Sequence, residues 1–224
     1  MTQKRTWLSL GAVVLVVNAL QWVIAEAVTA GAWKNPPYSY AGNYISDLGV
    51  PDCGVEFQGR DICSPSHDLM NTSFMAQGIL FAIGVLLLAR TLESRTRRTV
   101  TALAVAQAVG FVMIGTFHGS PEGASYVLAL HLVGALIGVL SANALVFTAG
   151  RVKDLDLPRP YRVFCMTVGI LGPVSVLGAG ISERTAGAFE RGGVYSFLLW
   201  SVVTGVLLLA RTLRRPAVVE NALV

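Results

Sequence analysis

The sequence predicts an all-α, polytopic membrane fold of six transmembrane helices with both termini on the cytoplasmic side. Three observations predict it. First, 54% of the 224 residues are hydrophobic and only 13% are charged, about half the charged share of a soluble domain, so much of the chain cannot face water. Second, six stretches lack Asp, Glu, Lys and Arg: Thr6 to Ala25, Leu69 to Ala89, Thr99 to Pro121, Gly123 to Gly150, Val163 to Ser182 and Gly192 to Ala210. At about 1.5 Å per residue each spans a hydrocarbon core of roughly 30 Å as a helix. None shows the period-2 alternation of barrel strands, the other backbone that satisfies itself in lipid. Third, with the N-terminus inside, all of the 17 basic residues except Lys34, Arg60, Arg184 and Arg191 fall on the cytoplasmic side, as the positive-inside rule requires. The formal net charge of +4 therefore describes topology, and it excludes nucleic acid as the expected partner: the basic residues are short membrane-flanking clusters suited to anionic lipid head groups.

The whole chain, 1–224, reads as one domain, with helices over 6–28, 68–89, 99–118, 126–149, 162–182 and 193–211. Helix 1 follows Lys4-Arg5 and ends near Ala25-Glu26-Ala27, which resembles a signal peptide with its cleavage site. Its apolar run is longer than a usual signal core, so a retained helix is expected. Asn18 and Gln21 fall on one face of it and should hydrogen-bond inside the bundle. The outer loop, 29–66, is the only long connection and reads as ordered. It carries Trp33, Tyr38, Tyr40, Tyr44 and Phe57, and prolines at 36, 37 and 51 fix turns. Its closely spaced Cys53 and Cys63 lie in an oxidising compartment, which predicts a disulfide.

Helix 2 begins at the His67 end of that loop. Helix 3 carries one stripe of Gln107, Phe111, Ile114 and His118, and helix 4 another of His131, Ala135, Gly138 and Ala142. Small residues at 134, 135 and 138 in helix 4, and Gly169, Gly172, Pro173 and Gly178 in helix 5, allow close helix packing and a kink. Cys165 of helix 5 should be a buried free thiol. Helix 6 leaves the membrane through Gly205 to Leu213, which repeats Gly84 to Leu92 letter for letter; a Leu-rich exit followed by Arg is what the membrane boundary selects.

The polar residues collect on the outer side. All three histidines lie there, and most acidic residues with them. His131 is the strongest candidate because it sits roughly 8 Å below the helix start, at about 1.5 Å per residue, where an ionisable group needs a partner or a task. The expected site is a convergence of Asp47, His67 and His131 at the outer leaflet, above an apolar wall that could hold lipid chains. As an enzyme site, His67 or His131 would be a general base oriented by Asp47, activating Ser46 or water, with Asn71 donating to a developing oxyanion. Alternatively His67, His118 and His131 with Asp47 would bind zinc and acidify a water, although their spacing lacks a short-range metal signature. Without catalysis, the same residues, with Tyr44, Asn71, His118 and Glu122, would grip a lipid head group. A transporter ranks third, since a transport path would continue through the midplane.

The segments Asn43 to Gly49 (NYISDLG) and Cys63 to Phe74 (CSPSHDLMNTSF) resemble the bacterial domain-of-unknown-function family numbered 998. The Ile-Ser-Asp stretch at 45 to 47 is also similar to a motif after helix 1 in the FRAG/DRAM/Sfk group of eukaryotic membrane proteins. The resemblance implies six helices, a multi-pass protein of a bacterial plasma membrane, and a polar outer site. The family's pattern of a Phe-Pro-Glu segment before a His in helix 4 falls on Phe117, Pro121, Glu122 and His131, with His118-Gly119-Ser120 inserted. It supplies no reaction; some eukaryotic relatives take part in remodelling the lipid of glycolipid anchors.

Overall fold

The computed structural model describes residues 3–120, 125–153, 157–182 and 184–214. Six helices make up the molecule: α1 (Gln3–Ala32), α2 (His67–Ala89), α3 (Ser94–Thr116), α4 (Ser125–Ala149), α5 (Arg159–Gly178) and α6 (Ala186–Arg214). All six are long and apolar enough to cross a membrane, and the protein is a multi-pass membrane protein. Between α1 and α2 lie a 3-10 turn, Ser46–Gly49, and an antiparallel hairpin of β1 (Cys53–Phe57) and β2 (Arg60–Cys63).

Each helix packs on the next in sequence and α6 returns to α1, so the bundle is a closed ring, with α4 also touching α6. Its axis is filled by aromatic rings. Trp22 lies 5.3 Å from Phe74 and 5.8 Å from Phe111, and Phe111 lies 5.6 Å from Phe197. Tilted and edge-on contacts of this kind add to the packing of large buried side chains. Glycine sets how closely α3 and α4 cross: a Cβ on Gly110 would run into the backbone of Gly134 and Gly138, the small-residue contact that replaces hydrophobic drive between helices in lipid.

One turn beneath the Trp22, Phe74 and Phe111 layer, Asn18, Gln77 and Gln107 are fully buried, and their side-chain amides have no hydrogen-bond partner among the described residues. Of the pair expected to bond inside the bundle, Gln21 does so, accepting from the Ser73 hydroxyl at 3.0 Å; Asn18 does not. Cys165 is buried and free, and Cys53 is disulfide-bonded to Cys63.

The helices differ from their expected bounds mainly at the loop end of the bundle. α1 continues to Ala32 rather than 28, keeping Glu26 helical as expected, and α6 begins at Ala186 rather than 193, so Glu190 and Arg191 are helical. The expected start of α6 was placed where charge interrupts the apolar run. Here the charges continue the helix because they find partners.

Candidate functional site

The loop between α1 and α2 folds as a cap on one end of the bundle, and two ionic contacts hold it there. The first is Glu26 with Arg191. Arg191 donates from Nε to Glu26 Oε1 at 2.9 Å, and the other carboxylate oxygen accepts from Trp22 Nε1 at 3.1 Å and from the Tyr195 hydroxyl at 2.9 Å. The same guanidinium reaches into the cap, donating to the carbonyls of Tyr40 (2.7 Å) and Asn43 (2.9 Å) and to the Tyr38 hydroxyl, while its face lies 4.9 Å from the Tyr40 ring centre. Burial raises the Tyr38 phenol well above its ordinary pKa, against the opposing pull of Arg191; it stays protonated and donates to the Tyr44 carbonyl at 2.8 Å.

The second contact is Asp47 with Arg60. Asp47 lies in the 3-10 turn, where its Oδ2 accepts the Tyr44 N–H at 2.9 Å, an ordinary role for an aspartate at a turn. The hairpin brings Arg60 to it. Its two-residue loop, Gln58-Gly59, has φ of 52° and 76°, the left-handed pair of a tight hairpin turn in which glycine is favoured at the second position. Arg60 then forks onto Asp47 at 2.8 and 2.9 Å and stacks 4.3 Å from the Tyr44 ring centre. Burial alone would lower the Arg60 pKa, but the Asp47 hydrogen bonds and charge outweigh it and the net shift is upward. The turn is pinned to α2 by Asn71, whose Nδ2 donates to the Gly49 carbonyl at 2.8 Å, and by the Ser64 hydroxyl on the Leu48 carbonyl at 2.7 Å.

Beneath the cap lies a cavity of about 560 Å³, within the range of small-molecule sites. Trp22, Phe74 and Phe111 line its floor, and Val50 and Phe57 belong to its cap side. Its polar lining is gathered under the cap: Ser46, Asp47, Gln58, Arg60, His131 and Glu190. Glu190 Oε2 accepts the Ile45 N–H, and Oε1 has no partner among the described residues. On the opposite side the lining is apolar and comes from α4 and α5, including Leu136 and Leu177, which are also 61% and 82% exposed on the bundle surface. In a bilayer that surface faces lipid, so the cavity borders the membrane along the α4–α5 side.

Asp47, Ser46, Tyr44 and His131 thus line one cavity, whereas His67, His118 and Asn71 do not. His131 Nδ1 is 2.9 Å from the Phe117 carbonyl, so it carries the proton and Nε2 keeps the lone pair. His67 has its Nδ1 3.0 Å from the Ser64 carbonyl and its Nε2 3.4 Å from Asp68, at the start of α2. The half-buried His118 has its Nδ1 3.4 Å from the Gly119 carbonyl. No hydrogen bond joins Asp47 to a histidine among the described residues; its oxygens are taken by Arg60 and the turn. Nor do three His, Cys, Asp or Glu side chains gather among the described residues as a metal-binding group, so the His67, His118 and His131 set expected for zinc is dispersed. Glu122 lies outside the described residues.

Glu26, Arg60, Glu190 and Arg191 were not among the candidates the sequence offered. Glu26 had a readable signal, an acid one turn after Trp22 in a continuing apolar helix. Arg60 had none, because only the hairpin brings it to Asp47.

A family model described as a protein of unknown function (DUF998) matches residues 10–207. No curated protein and no solved structure matches the chain.

Proposed function

Because the chain belongs to the DUF998 family, whose description assigns no activity, we propose from its site that this multi-pass membrane protein binds a lipid-like amphiphile in the capped cavity. One observation carries the reading: the cavity joins a polar end of Ser46, Asp47, Arg60, His131 and Glu190 to apolar α4 and α5 walls whose leucines are exposed on the lipid-facing surface. An amphiphile needs that division, and its chains could enter sideways without crossing water. The distribution of basic residues supports a cap on the outer side with both termini in the cytoplasm, and in this reading the ligand comes from the outer leaflet of a bacterial plasma membrane.

A lipid hydrolase or transferase is the second reading, favoured by the Ser46 hydroxyl and the His131 imidazole lining the same cavity. In it His131 Nε2 would accept a proton from Ser46 or water as general base. It ranks below binding because Asp47 is committed to Arg60 instead of orienting a histidine.

Ala135 lines the cavity from α4, and Ala135→Trp would project an indole into it and obstruct it. Native mass spectrometry of the protein released from mild detergent should show a lipid adduct on the wild type that is lost in Ala135→Trp, with thermal unfolding confirming that the variant is folded. A folded Ala135→Trp that retains the adduct, or a wild type without one, contradicts the reading.

A further inference from the structure

The charges around the cavity do not balance, and the excess has a sign. Arg60 and Asp47 neutralise each other, and two further Arg60 N–H groups are directed at Gln58, through its carbonyl at 3.0 Å and its side-chain oxygen at 3.4 Å. Arg191 and Glu26 neutralise each other behind the cavity wall and are not part of its lining. That leaves Glu190, which lines the cavity with Oε1 unpartnered among the described residues. The polar groups nearest in kind to it are acceptors as well: His131, whose Nδ1 is used on the Phe117 carbonyl, leaves Nε2 with a lone pair, and Ser46 can accept through its hydroxyl. No uncommitted cation lines the cavity among the described residues. A carboxylate without an ion-pair partner in contact is costly in an apolar surround, and a ligand that supplies one gains what the protein lacks. A second anion in the same place would add repulsion in a low-dielectric site.

Resting on the reading that the cavity holds an amphiphile, we propose that its head group is a cation with N–H donors, a long-chain amine or an amine-bearing lipid, with Glu190 as its counter-ion and His131 Nε2 and Ser46 as further acceptors. Carboxylate and phosphate head groups are disfavoured at this site, since Arg60 is already held by Asp47.

The test uses the full chain in phosphatidylcholine nanodiscs, with empty nanodiscs as the partitioning control, and three probes of one chain length: dodecylamine, dodecanol and dodecanoate. Competition against a fluorescent long-chain amine should rank them in that order, with the amine at least tenfold tighter than the carboxylate. Glu190→Gln, which keeps a carbonyl acceptor for the Ile45 N–H, should bring the amine down to the level of the alcohol. Asp61→Asn, at an exposed position of β2, should leave the ranking unchanged. Wild-type protein that binds dodecanoate as tightly as dodecylamine overturns the charge assignment while the amphiphile reading stands, and this comparison does not depend on any variant folding. Failure of all three probes to compete overturns both. Retention of the amine preference in folded Glu190→Gln removes Glu190 as the counter-ion.

Discussion

Arg191 makes more contacts with the cap than any motif residue, and it does so from inside the apolar part of the molecule. Its side chain is 8% exposed and that of Glu26 1%. A buried pair of this kind is weak evidence of net stability, but removing one partner leaves the other charge stranded, at about 3–5 kcal/mol. Arg191→Met should therefore lower the thermal unfolding temperature in detergent sharply, and Glu26→Gln combined with Arg191→Met should restore more than half of the loss. Additive losses in that double-mutant cycle would mean that the two side chains act independently. Asp47 and His131 were legible because an acid in a turn motif and a histidine inside an apolar helix each stand out locally. Arg191 was read as a loop residue because charge ends an apolar run, and the rule fails where a partner 165 positions away makes burial tolerable. His67 stands out just as clearly, yet its ring is used on the Ser64 carbonyl and not in the cavity.

The capping loop is the element on which the site depends. The disulfide closes the hairpin at its base, pairing Cys53 with Cys63, and the opposite end places Arg60 over Asp47. Closing a loop of this length removes about 2–3 kcal/mol of unfolded-state entropy in the chain-entropy account. Replacing both cysteines by serine should lower stability by that order, and hydrogen exchange should rise over Cys53 to Cys63 while the helices stay protected. Unchanged exchange in the hairpin would show that Arg60 and the turn hold it without the bond. The disulfide was readable from compartment and spacing. The hairpin was not, since its strands are short and Val55 and Ile62 give little alternation to detect. Helix existence was legible throughout, because six long apolar runs without the alternation of barrel strands leave the helix as the backbone that satisfies itself in lipid. Helix ends were not: α1 and α6 extend beyond their apolar cores to hold the charges that dock the cap.

In the molecule as a whole, a closed ring of helices carries a capped cavity, and the cavity borders lipid along α4 and α5 and not along α1. For that asymmetry α1 provides the internal control, since Leu10, Val17 and Leu20 are as exposed to lipid as the α4 leucines. The measurement that tests it most directly is photocross-linking in nanodiscs with a long-chain amine carrying a diazirine in its chain, followed by peptide mapping. Labelling should concentrate on the α4 segment from Leu132 to Leu140 and the α5 segment from Pro173 to Leu177, and an excess of unlabelled amine should suppress it. Label spread evenly over exposed leucines, α1 included, with no suppression by competitor, would mean that the chain of the amine does not enter between α4 and α5.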